Sequence, residues 1–244
     1  MPKAGLLLSA IILLSLSVTP AIAQDLSITL DNDGSLATRS IQLLVLITLL
    51  SIVPGLAIMI TCFPFMVTVL SILRQGIGLQ QSPPNMLIVS LALFLTYFVM
   101  EPVFIAAWNA GVDPLLNDSM PLEQAFTNVM EPFRIFMSGR IVPDTFEELA
   151  SLRPGVATDQ PIETSPLSVL IPSFLLSEIE RAFQIGFLVF LPFLIIDLVV
   201  AAVLMSMGMM MVPPAIVSLP FKLAFFVVAD GWSLIAGSLV RSYF

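Results

Sequence analysis

The chain has 244 residues, 58% of them apolar and 11% charged, with a mean hydropathy of +1.03. A water-soluble globule usually carries about a quarter charged residues, so the composition points to a membrane or membrane-derived assembly. The net charge of −8 argues against a nucleic-acid partner, and the absence of histidine removes the usual zinc, haem and triad chemistry. Cys62 is the only cysteine, which excludes an internal disulfide; in its apolar run it reads as a buried filler, with a nucleophile as the alternative.

Residues 1–23 read as a signal peptide. Lys3 supplies a basic start, residues 6–18 (LLLSAIILLSLSV) an apolar stretch, and "AIA" at 21–23 a small-x-small cleavage site before Gln24. The alternative is an uncleaved membrane helix, for which the run is short of the roughly 20 residues a span needs. Cleavage would place the mature N-terminus outside the cytoplasm, in the periplasm of a Gram-negative cell. Residues 24–39 then form a short polar extracytoplasmic segment.

Residues 40–112 are predicted to be a hydrophobic helical hairpin. No charge occurs from Ser40 to Leu73. As one helix that run would be about 50 Å long, well beyond a ~30 Å hydrocarbon core. Pro54-Gly55 and Pro64 are the predicted kinks or breaks, because proline removes a helix hydrogen bond and clashes with the preceding turn. "RQGIGLQQSPPN" at 74–85 is a polar turn, and a second arm follows from Met86 to 111, interrupted at Glu101-Pro102.

Residues 113–166 form an acidic insertion with nine acidic and three basic residues. Within it 121–138 is helical by period, with Leu122, Phe126, Val129, Phe133 and Met137 on one face and a bend predicted at Pro132. Residues 141–166 read as irregular. An independent domain is not predicted. Arg74 in the first turn and the acidic insertion match basic loops inside and acidic loops outside, which puts the insertion and the C-terminus on the extracytoplasmic side.

Residues 167–244 are a second hydrophobic hairpin that turns at "MSMGMMMVPP", 205–214. Five methionines crowd that corner. Gly208 frees the backbone, and Pro213 and Pro214 end the loop. Methionine near a helix end is often core filler, but it is also the side chain that repacks best around irregular shapes. The fold class is thus an all-α membrane-associated protein: two long kinked helical hairpins separated by a small, acidic, partly helical extracytoplasmic insertion.

Ionised groups inside apolar helices rarely face lipid, since each costs about 2.5–3.5 kcal/mol or more there. Asp197 shares a helix face with Gly186, Phe190, Phe193, Ala201 and Gly208, whose small members let another backbone approach. Counted from Met211 and Pro214, Asp197 and Lys222 differ in height by roughly 9 Å. They are candidates for inter-helix or inter-subunit charge contacts; a snorkelling lysine beside a tolerated aspartate and a proton relay are the alternatives. Glu178 and Arg181, three apart, form a second candidate pair, with a solvated helix start as its alternative.

"PSFLLSEIERAFQIGF" at 172–187 and "LPFLIIDLVVAAVLMSMGMMMVPP" at 191–214 closely resemble the signature blocks of the FliP family, export-gate subunits of the flagellar type III secretion apparatus with counterparts in virulence injectisomes. The resemblance covers essentially the whole mature chain. It implies about five copies assembled with the hydrophobic subunits FliQ and FliR, in a conical complex of the inner membrane and flagellar basal body, much of it on the periplasmic side. It implies FlhA and FlhB as further partners, unfolded flagellar subunits as cargo, no cofactor, and a pore constriction at Met209, Met210 and Met211. The competing reading is an ion or small-molecule transporter using Asp197 and Lys222. No G-x-x-x-x-G-K-[ST] nucleotide run is present, which fits a passive conduit energised by its partners; a membrane-embedded enzyme is the weakest reading, since no histidine or paired-carboxylate cleft is apparent and Ser/Lys alternatives lack a motif.

Overall fold

The computed structural model describes residues 36–79, 82–154 and 161–244. The signal peptide read at 1–23, and most of the segment at 24–39, lie outside the described residues. The chain divides into two compact units, Met1–Leu49 and Leu50–Phe244. In the first, the described residues begin helix α1, Leu36–Met59, where the Thr48 hydroxyl donates to the Leu44 carbonyl at 2.7 Å.

In the second unit α1 runs on through Pro54 and Gly55 to Met59. The predicted break is displaced to residues 60–62, where the Thr61 hydroxyl donates to Ile58 O at 2.8 Å. Helix α2, Phe63–Ile77, starts there with Pro64 in its first turn, where the missing N–H costs nothing. It ends at Gly78, whose φ of 89° is open to glycine without strain. Helix α3, Asn85–Ala107, continues into a π-helical turn, Trp108–Val112, and a short helix α4, Asp113–Leu116. Arg74 ties the α2–α3 turn by donating to the Asn85 side chain and to Pro83 O at 3.4 Å.

The insertion contains α5, Leu122–Ser138, and α6, Pro143–Ser151. The second helix corrects the irregular reading of 141–166. Pro143 opens α6 and Phe146 and Ala150 bury its inner face, so a proline-marked stretch is helical where its proline sits in the first turn. On α5, Phe133 and Met137 are buried whereas Leu122 and Phe126 are exposed, so only the C-terminal half of the predicted apolar face reaches the core. Phe133, Met137, Phe146 and Ala150 belong to the same buried cluster as α2 and α3, and the described part of the insertion shows no core of its own.

Helix α7, Leu167–Ser206, contains 40 residues and is about 60 Å long. Helices α8, Pro214–Val228, and α9, Gly231–Arg241, follow. The predicted single return arm is therefore broken: α8 and α9 meet at 61°, and Asp230 at the corner has φ 48°, a left-handed conformation that a helix interior cannot hold.

α2 is the centre of the packing, with its most extensive contact on α7. Its buried stripe is Phe65, Met66, Val69, Leu70, Leu73 and Ile77. A Cβ on Gly186 would lie 2.4 Å from Ile72 Cδ1, and one on Gly76 would lie 3.0 Å from the Phe193 ring. These two close approaches, Ile72 with Gly186 and Gly76 with Phe193, show that α2 and α7 run parallel. Burying each large apolar side chain here, such as Phe65 or Phe174, stabilises the fold by about 1.5–3 kcal/mol.

Among the described residues, three helical stretches are long and apolar enough to cross a membrane: Arg39–Met59, Asn85–Leu116 and Leu167–Ser206. The bent α8–α9 pair makes a fourth if it counts as one span.

Candidate functional site

The 207–213 loop is a defined turn. The Gly208 N–H donates to Met205 O and the Met209 N–H to Leu204 O, each at 3.0 Å, which is the paired pattern that closes a helix on a left-handed residue. Gly208 is that residue, with φ 76°. Leu204 and Met209 line one apolar groove of about 590 Å³ with Met207, Val217 and Phe221. Pro213 is extended and Pro214 is the first residue of α8, so the exit is as fixed as the entry. Between these clamps Met210 is 82% exposed and Met211 98%. The loop presents thioethers outward instead of packing them.

The Lys222 ammonium is buried and meets Asp197 Oδ2 at 2.6 Å. It also donates to Gly76 O at 3.1 Å, and the Ser218 hydroxyl donates to Asp197 Oδ1 at 2.5 Å. Three helices, α2, α7 and α8, are thereby linked at one point. The height difference predicted for Asp197 and Lys222 vanishes because α7 ends at Ser206, five residues before Met211. Asp197 lies nine residues before Ser206 and Lys222 eight after Pro214, about 13 and 12 Å from the turn. Ser218 went unread in the sequence. Its signal was its place one helical turn before Lys222, on the same face.

The pairing of Glu178 with Arg181 is corrected. Glu178 is wholly buried, and its Oε1 accepts from Arg140 Nε at 3.0 Å. Its Oε2 accepts from the Tyr243 hydroxyl. The Arg140 guanidinium lies 4.1 Å from the Tyr243 ring centre and donates to Ser242 O at 3.0 Å. Arg181 pairs with no carboxylate among the described residues. A buried carboxylate must have both oxygens satisfied, and the α5–α6 turn and the C-terminus together do this where one surface neighbour on α7 does not. Burial, reinforced by Glu178, pushes the Tyr243 hydroxyl far above the ordinary phenol range, so it stays a donor. Arg140 and Tyr243 escaped the sequence reading because they lie 38 and 65 residues from Glu178.

On the shared face proposed for Asp197, Gly186 and Phe193 are buried whereas Gly208 is exposed. The small-residue approach is made at Gly186 by α2.

Long apolar helices, with two charge pairs in or near the interior, Arg140–Glu178 and Lys222–Asp197, and a loop of outward methionines between Asp197 and Lys222, define an all-helical membrane protein among the described residues. Residues 46–239 match the model of the FliP family. The chain belongs to that family. It is 48% identical to the flagellar biosynthetic protein FliP of Caulobacter vibrioides over 97% of this chain and 90% of the relative. The protein of the same name from Agrobacterium fabrum is 49% identical over 86% of each chain, and that of Bacillus subtilis 44% identical over 87% of this chain and 96% of its own.

Proposed function

We propose that this chain is a core subunit of the flagellar type III export gate, and that about five copies form, with FliQ and FliR, the channel through which unfolded flagellar subunits leave the cell. In this reading the gate stands in the inner membrane at the flagellar basal body, much of it on the periplasmic side, with FlhA and FlhB as further neighbours. The two helical hairpins, 40–112 and 167–244, supply its walls and the insertion at 113–166 its extracytoplasmic part. Family membership supports the flagellar role.

The observation that carries the pore reading is the near-complete exposure of Met210 and Met211 on a loop whose two ends are fixed. In an isolated protein such exposure wastes apolar surface, and large exposed apolar patches mark contact sites. Loops from several copies would place flexible thioethers around one axis. They would close against water and ions by dewetting, and yield to a passing chain whose side chains keep changing. Gly208, Pro213 and Pro214 set the loop geometry. Replacing Met209, Met210 and Met211 together with alanine should leave complex levels unchanged and raise the resting ion leak, measured as membrane conductance or ion-sensitive growth. An unchanged leak at normal complex levels removes the constriction role, and failure to co-purify with hydrophobic partner subunits removes the gate itself.

A further inference from the structure

Glu101 lies in the middle of α3, the helix that continues into the apolar stretch Asn85–Leu116. It is exposed, and it makes no ion pair or side-chain hydrogen bond among the described residues. Around it the surface is apolar and open: Phe94, Tyr97, Phe98, Ile105 and Trp108 are each more than half exposed. A carboxylate on such a face needs a cationic partner. A second acceptor lies beside it. Residue 102 is proline and has no N–H, so the Phe98 carbonyl loses the donor that an ordinary helix supplies four residues on. Two acceptors three positions apart on one helix face suit the planar fork of an arginine better than a single ammonium.

An arginine without an acidic partner among the described residues ends α9. Trp232, at the start of α9, shares a groove with Leu87, Ile88 and Leu91 at the start of α3. The end of α9 is placed by Tyr243, whose ring meets Phe65 on α2, and Cys62, one turn before Phe65, reaches the Thr96 carbonyl of α3, so Arg241 stands within about two helical turns of Glu101. Nine residues turn a helix by about 900°, half a turn net, so Arg241 projects from the side of α9 that faces away from α3. It is exposed, and its guanidinium rests over Gly237 of its own helix with no carboxylate in reach among the described residues. One chain therefore carries an exposed acid and an exposed base, each without an ion-pair partner among the described residues, on different helices and within about two helical turns in height. A contact of that kind joins unlike surfaces and repeats head to tail.

We propose that Glu101 of one copy pairs with Arg241 of the next copy in the homo-oligomer, with the Phe98 carbonyl taking a second bond from the same guanidinium. The pairing rests on the oligomeric reading of the preceding section and names the residues that set the register of its ring.

Oxidative cross-linking tests it in the full-length chain assembled in its own membrane. Glu101→Cys combined with Arg241→Cys should give a ladder of covalent oligomers, and neither single variant should. Cys62 is wholly buried and can stay. Glu101→Arg alone and Arg241→Glu alone should each lower the recovered oligomer by about tenfold, through like-charge contact. The two reversals together should restore it to within about twofold of the native level. No ladder from oligomers that form normally, or no rescue by the double reversal, overturns the pairing and leaves the export-gate reading standing. Failure of the native chain to form any oligomer overturns both. A Glu101→Cys variant that cross-links to a different polypeptide overturns the second copy as occupant.

Discussion

Lys222 Nζ sits 2.6 Å from Asp197 Oδ2 and 3.1 Å from Gly76 O, so one ammonium holds α7, α8 and the end of α2 together. The two partners are unequal. The Lys222 side chain is 6% exposed and that of Asp197 39%. Removing Asp197 leaves a buried cation with one carbonyl, whereas removing Lys222 leaves a half-open carboxylate that water and Ser218 can still serve. Asp197→Ala should therefore cost about 3–5 kcal/mol, and Lys222→Met clearly less. Thermal unfolding of the detergent-solubilised complex checks the order, and equal losses would contradict it.

Glu178 has two donors, and each can be removed separately. Tyr243→Phe takes one hydroxyl from a buried carboxylate and keeps the ring packing on Phe65 and Phe136, for a cost of about 1–3 kcal/mol. Arg140→Ala removes the cation paired with Glu178 and should cost about 3–5 kcal/mol. Limited proteolysis reads both, with cleavage in α6 rising more in the arginine variant.

Cys62 should be inert. Burial pushes its thiol up to about 12, only partly offset by the Thr96 side chain. The thiolate is the nucleophile, so maleimide labelling of the folded protein should stay negligible from pH 7 to 10 and become complete in denaturant. The linked stability effect has a definite sign. Between the ordinary thiol value of 9.0 and about 12 the unfolded chain loses this proton and the folded chain keeps it, so stability falls as pH rises through that window. Labelling of the native protein that climbs from pH 8 would show an accessible thiol instead.

Two glycines should respond unequally to alanine. A Cβ at Gly111 meets the Ala125 carbonyl oxygen at 2.5 Å, and backbone cannot move aside. A Cβ at Gly186 meets Ile72 Cδ1 at 2.4 Å, the far end of a flexible side chain. Gly186→Ala should cost about 1–3 kcal/mol and Gly111→Ala more, because α5 itself must shift away from the π-helical turn. Expression and unfolding of the two variants, side by side, decide the order.

The apolar runs, the acidic insertion and the 205–214 corner were legible along the chain because each is a local property. Helix periodicity, the missing N–H of proline and the tolerance of Gly208 for positive φ act within a few residues. Asp197 and Lys222 were legible as groups that need partners, since charge in an apolar run is costly wherever the helices go. Arg140 and Tyr243 were not legible as the donors to Glu178, because nothing near residue 178 points to positions 38 and 65 residues away.

By itself, then, the sequence determined which long segments are apolar, where the methionine loop lies and that Asp197 and Lys222, charged inside apolar helices, demand compensation, since these follow from short-range sterics and from transfer out of water. Only the tertiary structure decided who compensates whom. That choice depends on where helices end, Ser206 and not Met211, and on the corner at Asp230 that folds α9 back beside α3, so that the C-terminus reaches the start of α7. Both are outcomes of packing summed over the whole core, and no window of residues contains them.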